Sequence, residues 1–396
     1  MAAGRSAQCG AKVVLLEKND RPGKKLLVTG KERCNITCFE ENLLKFVEPF
    51  GKNGKFLLSA LSNFGVTDIL RFFKELGVPT KIEKGNKAFP ASDKASDVAG
   101  ALLSYIEKYK VTLKTSSTVQ AITVRKSGFE ITAQDEQIKA HSVIISTGGL
   151  SYPSLGSSGD GYQWAKQLGH TIVPTSPALV GIVLKEPWLK DVQALELKDV
   201  RISMYQNNKK QDERLGDALF THEGISGPML IDMSKSVGQY LQKGPVTLEI
   251  DFLPTLAHDQ FDKLLLAALE ISRVRQVKNV LSELLPQRII PIVTESAGFD
   301  ASLRCDILSR VERKKLVNLL KAFPLQVESL AGYAKAIITS GGVSLKEIDP
   351  KTMQSKLVPN LFFAGEILDL DGPTGGYNLQ VCWSTGYLAG QSAVYP

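Results

Sequence analysis

The chain has 396 residues, of which 43% are hydrophobic and 22% are charged. This length and composition allow a large core without disulfides, which excludes a disordered protein, a collagen-like fibre and a small secreted scaffold. Five scattered cysteines favour a reducing environment, and neither they nor the four histidines suggest a metal site. We expect a cytoplasmic protein, because no apolar run reaches membrane length and the N-terminus lacks the apolar core of a secretory signal.

The net charge is +7, and it is spread along the chain. The densest basic runs, Lys24-Lys25 and Lys209-Lys210, are short. They favour a solvated surface over a patch that binds phosphate or RNA. We therefore expect a small-molecule substrate and neither a membrane nor a nucleic-acid partner, whereas the oligomeric state is left open.

The first 175 residues alternate between predicted strands and helices. A helix end at 1–9 is followed by Gly10 and by an apolar run at 11–17, which is typical of a buried parallel strand. Helices are predicted at 59–63, 67–76, 94–108 and 160–168, and strands at 111–114, 119–126, 128–133 and 142–146.

The alternation of predicted strands and helices gives way near residue 176 to a mixture of strands and longer helices. It resumes towards the C-terminus. Strands are predicted at 180–184, 200–205, 246–252, 336–339 and 361–363, and helices at 258–285 and 309–323. The order predicts an α/β fold, with a Rossmann-type nucleotide-binding domain interrupted by an insertion. We place that domain at 1–175 and 341–396, a β-barrel-like domain at 176–257 and 324–340, and a helical subdomain at 258–323.

Two strand ends carry features that suit a nucleotide. Glu17 ends the first strand, where an acid can accept hydrogen bonds from a ribose, although a solvated carboxylate is the alternative. Ser146-Thr147-Gly148-Gly149 follows another strand, and Gly156–Gly161 precedes a helix; both permit close backbone approach to a ligand or form ordinary turns.

The strongest motif lies near the C-terminus, from Phe363 to Gln380. A strand leads into Gly365-Glu366, two more acids follow, and Gly375-Gly376 opens a predicted helix. An acid here can bind ribityl hydroxyls, and the helix start can stabilise negative charge on a reduced flavin.

These blocks, together with Thr29-Gly30, Arg33–Thr37, Thr147–Pro153 and Leu219–Pro228, resemble the bacterial BaiN/YhiN-type NAD(P)/FAD-dependent oxidoreductases. The resemblance covers the whole chain. It implies a glutathione-reductase-type FAD domain interrupted by a β-rich and a helical domain.

The resemblance also implies which residues hold FAD. They are Glu17 at the adenosine ribose, Lys24 and Lys25 beside the phosphates, Val119 at the adenine, Thr147 and Gly148 in the second turn, Gly365 and Glu366 at the ribityl chain, and Asn378 and Leu379 beside the flavin ring.

Two features depart from the family pattern. The family's first strand and G-x-G-x-x-G loop precede its ribose acid, but only 16 residues precede Glu17. We therefore expect a truncated chain that binds FAD weakly. Glu32 also replaces a glycine of the T-G-x-G-R-C-N motif, which would add charge beside the flavin or force the loop outward.

The leading hypothesis is an FAD-dependent oxidoreductase acting on a small organic substrate, with NAD(P)H as an optional transient donor. The alternatives are a truncated, FAD-deficient remnant of this family and a flavoprotein acting on RNA. His222 is the candidate proton donor, weighed against a structural histidine. Cys34 is interpreted as a packed loop cysteine in preference to a redox thiol.

Overall fold

A computed structural model describes residues 1–134 and 136–395. The chain forms two compact units, one made of Met1–Pro177 and Ala336–Pro396, the other of Ala178–Lys335. The second unit is thus a continuous insertion into the first. Helices and strands are numbered below in chain order through both units.

The first unit contains eight α-helices among its described residues. They are α1 (Ala2–Gln8), α2 (Lys24–Leu27), α3 (Leu43–Val47), α4 (Leu58–Asn63), α5 (Val66–Glu75), α6 (Ala95–Lys108), α7 (Asp160–Gln167) and α13 (Tyr377–Ser392). Its strands are β1 (Val14–Leu16), β2 (Thr37–Cys38), β3 (Thr80–Glu83), β4 (Lys87–Pro90), β5 (Thr112–Lys114), β6 (Val119–Arg125), β7 (Gly128–Ala133), β8 (Glu136–Ala140), β9 (Val143–Ile145), β10 (Ile172–Ala178), β17 (Ile338–Val343) and β18 (Leu361–Phe363).

Two parallel strand pairs form the α/β part of this unit. Strand β1 pairs with β5, and β18 pairs with β9. Strand β18, Leu361-Phe-Phe, is completely buried, as expected for a parallel strand covered on both faces. In the second pair Phe363 lies opposite Ile145, so the segments that follow the two strands leave the sheet at the same edge.

Antiparallel sheets and one long helix complete the first unit. The strand orders are β2–β4–β3 and β6–β7–β8, and β10 pairs with β17. Ten of the 16 residues of helix α13 are buried, and the helix packs against α1. Gly390 permits this approach, since an added Cβ would lie 2.5 Å from the Ala2 carbonyl oxygen.

The second unit is a closed six-stranded barrel with five helices in its described residues. The barrel order is β11 (Ile182–Leu184), β14 (Gly224–Ser226), β13 (Lys209–Phe220), β12 (Glu196–Gln206), β15 (Thr247–Asp251) and β16 (Phe323–Leu330). The helices are α8 (Pro228–Leu241), α9 (His258–Ile271), α10 (Val277–Leu281), α11 (Ile290–Ala297) and α12 (Arg310–Lys321). One hydrophobic core joins the barrel to these helices.

The structure corrects several sequence-based elements. The single helix predicted at 258–285 is wrong: α9 and α10 are separate, because residues 273–276 hydrogen-bond to 303–306 instead of continuing the helix. Lys24 and Lys25, predicted in a loop, begin a short helix. The β3–β4 hairpin, β13, β16 and α8 were not predicted; β13 carries a run of charged residues that hides its strand character.

Within the described residues, no single helix is both long and apolar enough to cross a membrane. The bent pair Leu43–Asn63 and Val66–Glu75 meets that length and composition only when the two segments are taken together.

Candidate functional site

The site is built where β9 and β18 end side by side. Thr147-Gly148 follows β9, and Gly365-Glu366 follows β18. Gly148 and Gly365 adopt φ angles of 73° and 79°, a left-handed conformation that glycine adopts without strain. An added Cβ on Gly148 would lie 3.8 Å from Glu366 Oε2, so the two turns are close neighbours.

Glu366 is the centre of a hydrogen-bond network. Its Oε2 accepts a hydrogen bond of 2.6 Å from Lys25 Nζ, and its Oε1 accepts from Ser151 Oγ at 2.8 Å and from the Thr339 amide at 2.9 Å. The Glu366 side chain is only 15% exposed. The network therefore connects four parts of the first unit around one carboxylate whose charge is balanced by Lys25: α2, β17, the loop after β9 and the turn after β18.

Ser151 and Thr339 were missed by the sequence analysis. Ser151 lies within the Thr147–Pro153 block, and its hydroxyl also accepts a 2.6 Å hydrogen bond from Lys25. The Thr339 hydroxyl accepts from the Leu150 amide at 2.8 Å and thus holds the loop after β9. Because Ser151 lies in a block that resembles the family, the sequence could have indicated it as a site residue. No such sequence feature pointed to Thr339.

The start of α13 presents a helix N-terminus in the first unit. Gly376 caps this 16-residue helix at φ 101°, and an added Cβ would lie 2.3 Å from the Thr37 carbonyl carbon. The Asn378 side chain accepts from the Gly372 amide at 2.8 Å and donates to the Gly372 carbonyl at 3.0 Å. Asn378 thus fixes the preceding loop, while Leu379 is partly buried against the core.

Glu17 and Val119, expected at the adenosine, and Lys24, expected beside the phosphates, lie outside the Glu366 network. Glu17 Oε1 accepts hydrogen bonds from the Asn19 amide at 2.8 Å and from Asn19 Nδ2 at 2.9 Å. Val119 begins β6 and is partly buried. Lys24 forms an ion pair of 2.8 Å with Asp20. None of these three side chains hydrogen-bonds to Glu366 in the described structure.

The loop of the Arg33-Cys34-Asn35 motif is tightly held. Cys34 is buried at φ 60°, and burial raises the pKa of its thiol to about 12, so the thiol is protonated at neutral pH. This favours the packed cysteine over the redox thiol. Glu32 is exposed at φ 66°, in the backbone region that glycine favours.

Arg33 fixes the same loop through charge and stacking. Its guanidinium donates to Glu83 at 2.5 Å and to Asp93 at 2.5 Å, and it lies 4.0 Å above the Phe89 ring. Planar guanidinium groups suit such combined contacts, which a lysine would not reproduce. The β3–β4 hairpin, which carries Glu83 and Phe89, is therefore part of the support for the motif.

His222 belongs to the second unit, in the loop between β13 and β14. Its side chain is 56% exposed, and its Nε2 lies 3.1 Å from Glu223 Oε1. Glu223 in turn pairs with Lys335 at 2.6 Å. The Glu223 carboxylate thus holds an accessible imidazole in place.

The chemistry of these residues fits FAD. Asn35 Oδ1 is shielded from solvent and has no hydrogen-bond partner among the described residues, so this motif presents an unused acceptor. Such orphan acceptors are rare in folded proteins and indicate an absent partner. The glycine turns at 148 and 365 and the α13 helix start add close backbone access and a positive helix end.

Comparison with known families decides the identity. Residues 1–392 match the family described as HI0933-like protein Rossmann domain. The chain belongs to this family. The match confirms the predicted Rossmann-type FAD-binding fold and the resemblance to BaiN/YhiN-type proteins.

Curated relatives cover almost the whole chain. A 3-dehydro-bile acid delta(4,6)-reductase of Clostridium scindens is 33% identical over 99% of this chain and 95% of its own length. A ribosomal RNA dihydrouridine synthase of Escherichia coli is 31% identical over 98% of this chain and 94% of its own length. The protein is an oxidoreductase of a flavin-dependent family.

Solved structures share the fold at low sequence identity. A flavocytochrome c3 fumarate reductase aligns with a TM-score of 0.51 at 15% identity, covering 100% of this chain and 76% of that chain. A 3-ketosteroid delta1-dehydrogenase from Sterolibacterium denitrificans aligns with a TM-score of 0.52 at 11% identity, covering 100% and 97%. These likenesses establish the fold only.

Proposed function

We propose that the protein uses FAD to reduce a carbon–carbon double bond conjugated to a carbonyl group in a small organic substrate. The relatives supply the substrate class: one is named for reducing a steroid acid and another for producing dihydrouridine. Both names describe adding hydrogen across a double bond next to a carbonyl. The observation that carries the proposal is the shielded Glu366, which accepts three hydrogen bonds at the joined ends of β9 and β18.

The cofactor would be held by residues of the first unit. Glu17 and Val119 would bind the adenosine, Lys24 and Lys25 the phosphates, and Thr147, Gly148, Gly365 and Glu366 the ribityl chain; Asn378 and Leu379 would border the ring. When bound, FAD supplies a carrier that accepts and donates hydride. Lys25 would hold the Glu366 carboxylate in position as an acceptor, and the amide end of α13 would favour negative charge nearby.

The substrate also needs a proton, because reducing a double bond adds one hydride and one proton. We assign this proton to His222, the histidine held by Glu223. Its exposure permits contact with substrate, and Glu223 would orient the imidazole ring. NAD(P)H would be the transient electron donor, since only one Rossmann-type domain is predicted from the sequence.

The proposal is tested by anaerobic turnover of the FAD-loaded protein. NADPH is the reductant, and a 3-oxo-4-ene steroid acid and a uridine-containing RNA are offered separately; mass spectrometry detects the gain of two hydrogen atoms. We expect the steroid-type enone to be reduced. Protein that holds FAD yet reduces neither compound contradicts the proposal.

Two histidine variants refine the test. His222→Asn should lower kcat for enone reduction by about 10²-fold, the usual contribution of a general acid. His258→Asn is the matched control, because His258 is also exposed in the second unit, on α9. Equal rates for the two variants would remove His222 from the mechanism.

A second candidate function, reduction of uridine in RNA, rests on charge distribution. The first unit carries 27 Lys and Arg against 21 Asp and Glu, a net charge of +6 out of the total of +7. A polyanion would be attracted to such a surface. This candidate requires RNA affinity that falls steeply with salt concentration, which a filter-binding titration at several salt concentrations measures.

A further inference from the structure

Four aliphatic side chains form an exposed surface in the second unit, where α9 ends and α12 begins. They are Ile271, Val274, Ile307 and Val311, and they are 87%, 78%, 61% and 65% exposed. We call them the α9–α12 patch. Single exposed aliphatic residues are ordinary, but contiguous ones rimmed by charge mark a place where another surface docks.

The direction of the two helices brings this part of the chain together. His258, at the start of α9, lies 2.6 Å from Asn318, near the end of α12. Further along α9, the Asp262 carbonyl oxygen accepts a 3.2 Å hydrogen bond from Arg313, near the start of α12. The helices are therefore antiparallel, and the end of α9 lies at the start of α12.

The turn after α9 is also bonded to the segment before α12. The Asp306 amide donates to the Arg273 carbonyl oxygen at 3.1 Å. Val274 and Ile307 are the next residues of these two segments, so they are neighbours on the surface. Val311 follows in the first turn of α12. The patch is thus continuous, although its residues come from two parts of the sequence.

The patch is separate from the core that holds the second unit together. The buried residues of α9 are Phe261, Leu265 and Leu269. Ile271 follows Leu269 by two positions, so the two side chains point about 200° apart around the helix. Packing within the described chain therefore does not explain why aliphatic residues stand at these positions.

The edge of the patch carries unpaired charges of both signs. Glu270 and Arg273 flank Ile271, and Arg310 precedes Val311; all three charged residues are exposed. None of them forms an ion pair within the described residues, and Glu270 and Arg273 do not pair with each other although only three positions separate them. A surface that offers the same acid and the same cation in exchanged positions would neutralise both.

We propose that the α9–α12 patch is the contact between two copies of this chain related by a twofold axis. In such a contact every pair of residues occurs twice, so Glu270 of each copy can face Arg273 of the other. The aliphatic side chains would form the dry centre and the charges the rim, as in other protein interfaces. The inference does not depend on the reaction that the protein catalyses.

The test measures the mass of the full-length protein by sedimentation velocity over a range of concentrations. We expect a reversible dimer. Ile271→Asp/Val274→Asp should weaken dimerisation by at least about 100-fold, because it would bury unpaired carboxylates in the contact. The matched control is Leu44→Asp/Leu215→Asp, at two leucines that are 67% and 64% exposed outside the patch. It should leave the dimer affinity within about twofold.

A charge exchange tests the arrangement of the two copies. Glu270→Arg and Arg273→Glu should each weaken the dimer by at least about tenfold, because each places like charges opposite one another. The double variant Glu270→Arg/Arg273→Glu restores opposite charges and should recover most of the affinity.

Four results would each overturn the proposal. They are a single chain at every concentration up to about 100 μM, a dimer that survives Ile271→Asp/Val274→Asp, a double charge exchange that stays as weak as the single ones, and a monomer that uses the patch to bind phosphatidylglycerol vesicles. Circular dichroism of each variant shows whether the fold is retained, since all the substituted side chains are exposed.

Discussion

Lys25 Nζ lies 2.6 Å from Glu366 Oε2, although 341 residues separate the two in the chain. Lys25 is in α2 and Glu366 follows β18, so this contact joins the two ends of the first unit. Both side chains are largely shielded from solvent, at 23% and 15% exposure. The ion pair therefore holds α2 against the turn after β18 at the centre of the proposed cofactor site.

The first prediction compares the two acids proposed to bind FAD. Glu366→Ala should weaken FAD binding more than Glu17→Ala, because Glu366 anchors three hydrogen bonds and Glu17 only those from neighbouring Asn19. Losing a hydrogen bond to a charged group costs roughly 1.5–3 kcal/mol, or about 10- to 100-fold in affinity. Flavin fluorescence titrations measure both variants, and equal affinities would count against the assignment.

The second prediction concerns the glycine that opens α13. Gly376→Ala should destabilise the first unit by about 2 kcal/mol or more, because φ of 101° is strained for alanine and the new Cβ would overlap Thr37. Gly100→Ala is the control: Gly100 lies in α6 with open space around it, and alanine there should stabilise by about 0.5–1 kcal/mol. Urea denaturation gives both values; shifts of the same sign would show that the α13 turn is not constrained.

The third prediction is a pH dependence due to His170. Ser355 Oγ lies 2.9 Å from His170 Nε2 in a buried cluster, and Glu347 lies 3.4 Å from Nδ1. Burial lowers the pKa of His170, and Glu347 opposes this only in part. The unfolded chain therefore binds the proton more readily.

Stability should consequently fall as the pH drops below the unfolded histidine value of about 6.5, towards the lower folded value. His170→Asn should show a smaller loss of unfolding free energy between pH 7.5 and 5.5 than the unmodified protein. His141→Asn, at an exposed histidine of the same unit, should keep the full loss. If both variants lose as much stability as the unmodified protein, His170 does not control this range.

The fourth prediction tests the cysteine of the Arg33-Cys34-Asn35 motif. Cys34 should resist iodoacetamide in the folded protein at pH 8, because its thiol is buried and its pKa is raised to about 12. In urea it should be alkylated at an ordinary rate. Cys34→Ala should leave the flavin redox chemistry intact; rapid labelling of folded protein would revive the redox-thiol hypothesis.

Local sequence patterns were enough to predict the strands and turns that build the site. Apolar runs at 143–145 and 361–363, each followed by glycine, predicted two buried strands that end in sharp turns, and both are present. The Gly375-Gly376 pair likewise predicted the start of α13. These features depend on short-range preferences that are visible in a few consecutive residues. β-Branched and aromatic residues favour buried strands, and glycine readily adopts a positive φ angle.

The side chains that meet from distant parts of the chain could not be predicted from those patterns. Ser151 and Thr339 complete the Glu366 network, and Arg33 reaches Glu83 through a hairpin that the sequence did not reveal. The charged strand β13 pairs within a closed barrel although its own pattern resembles a surface loop. Such contacts depend on the register of paired strands and on how segments hundreds of residues apart come together in the fold. Many different sequences are compatible with the same fold, so a local sequence pattern does not specify which distant side chain a residue will contact.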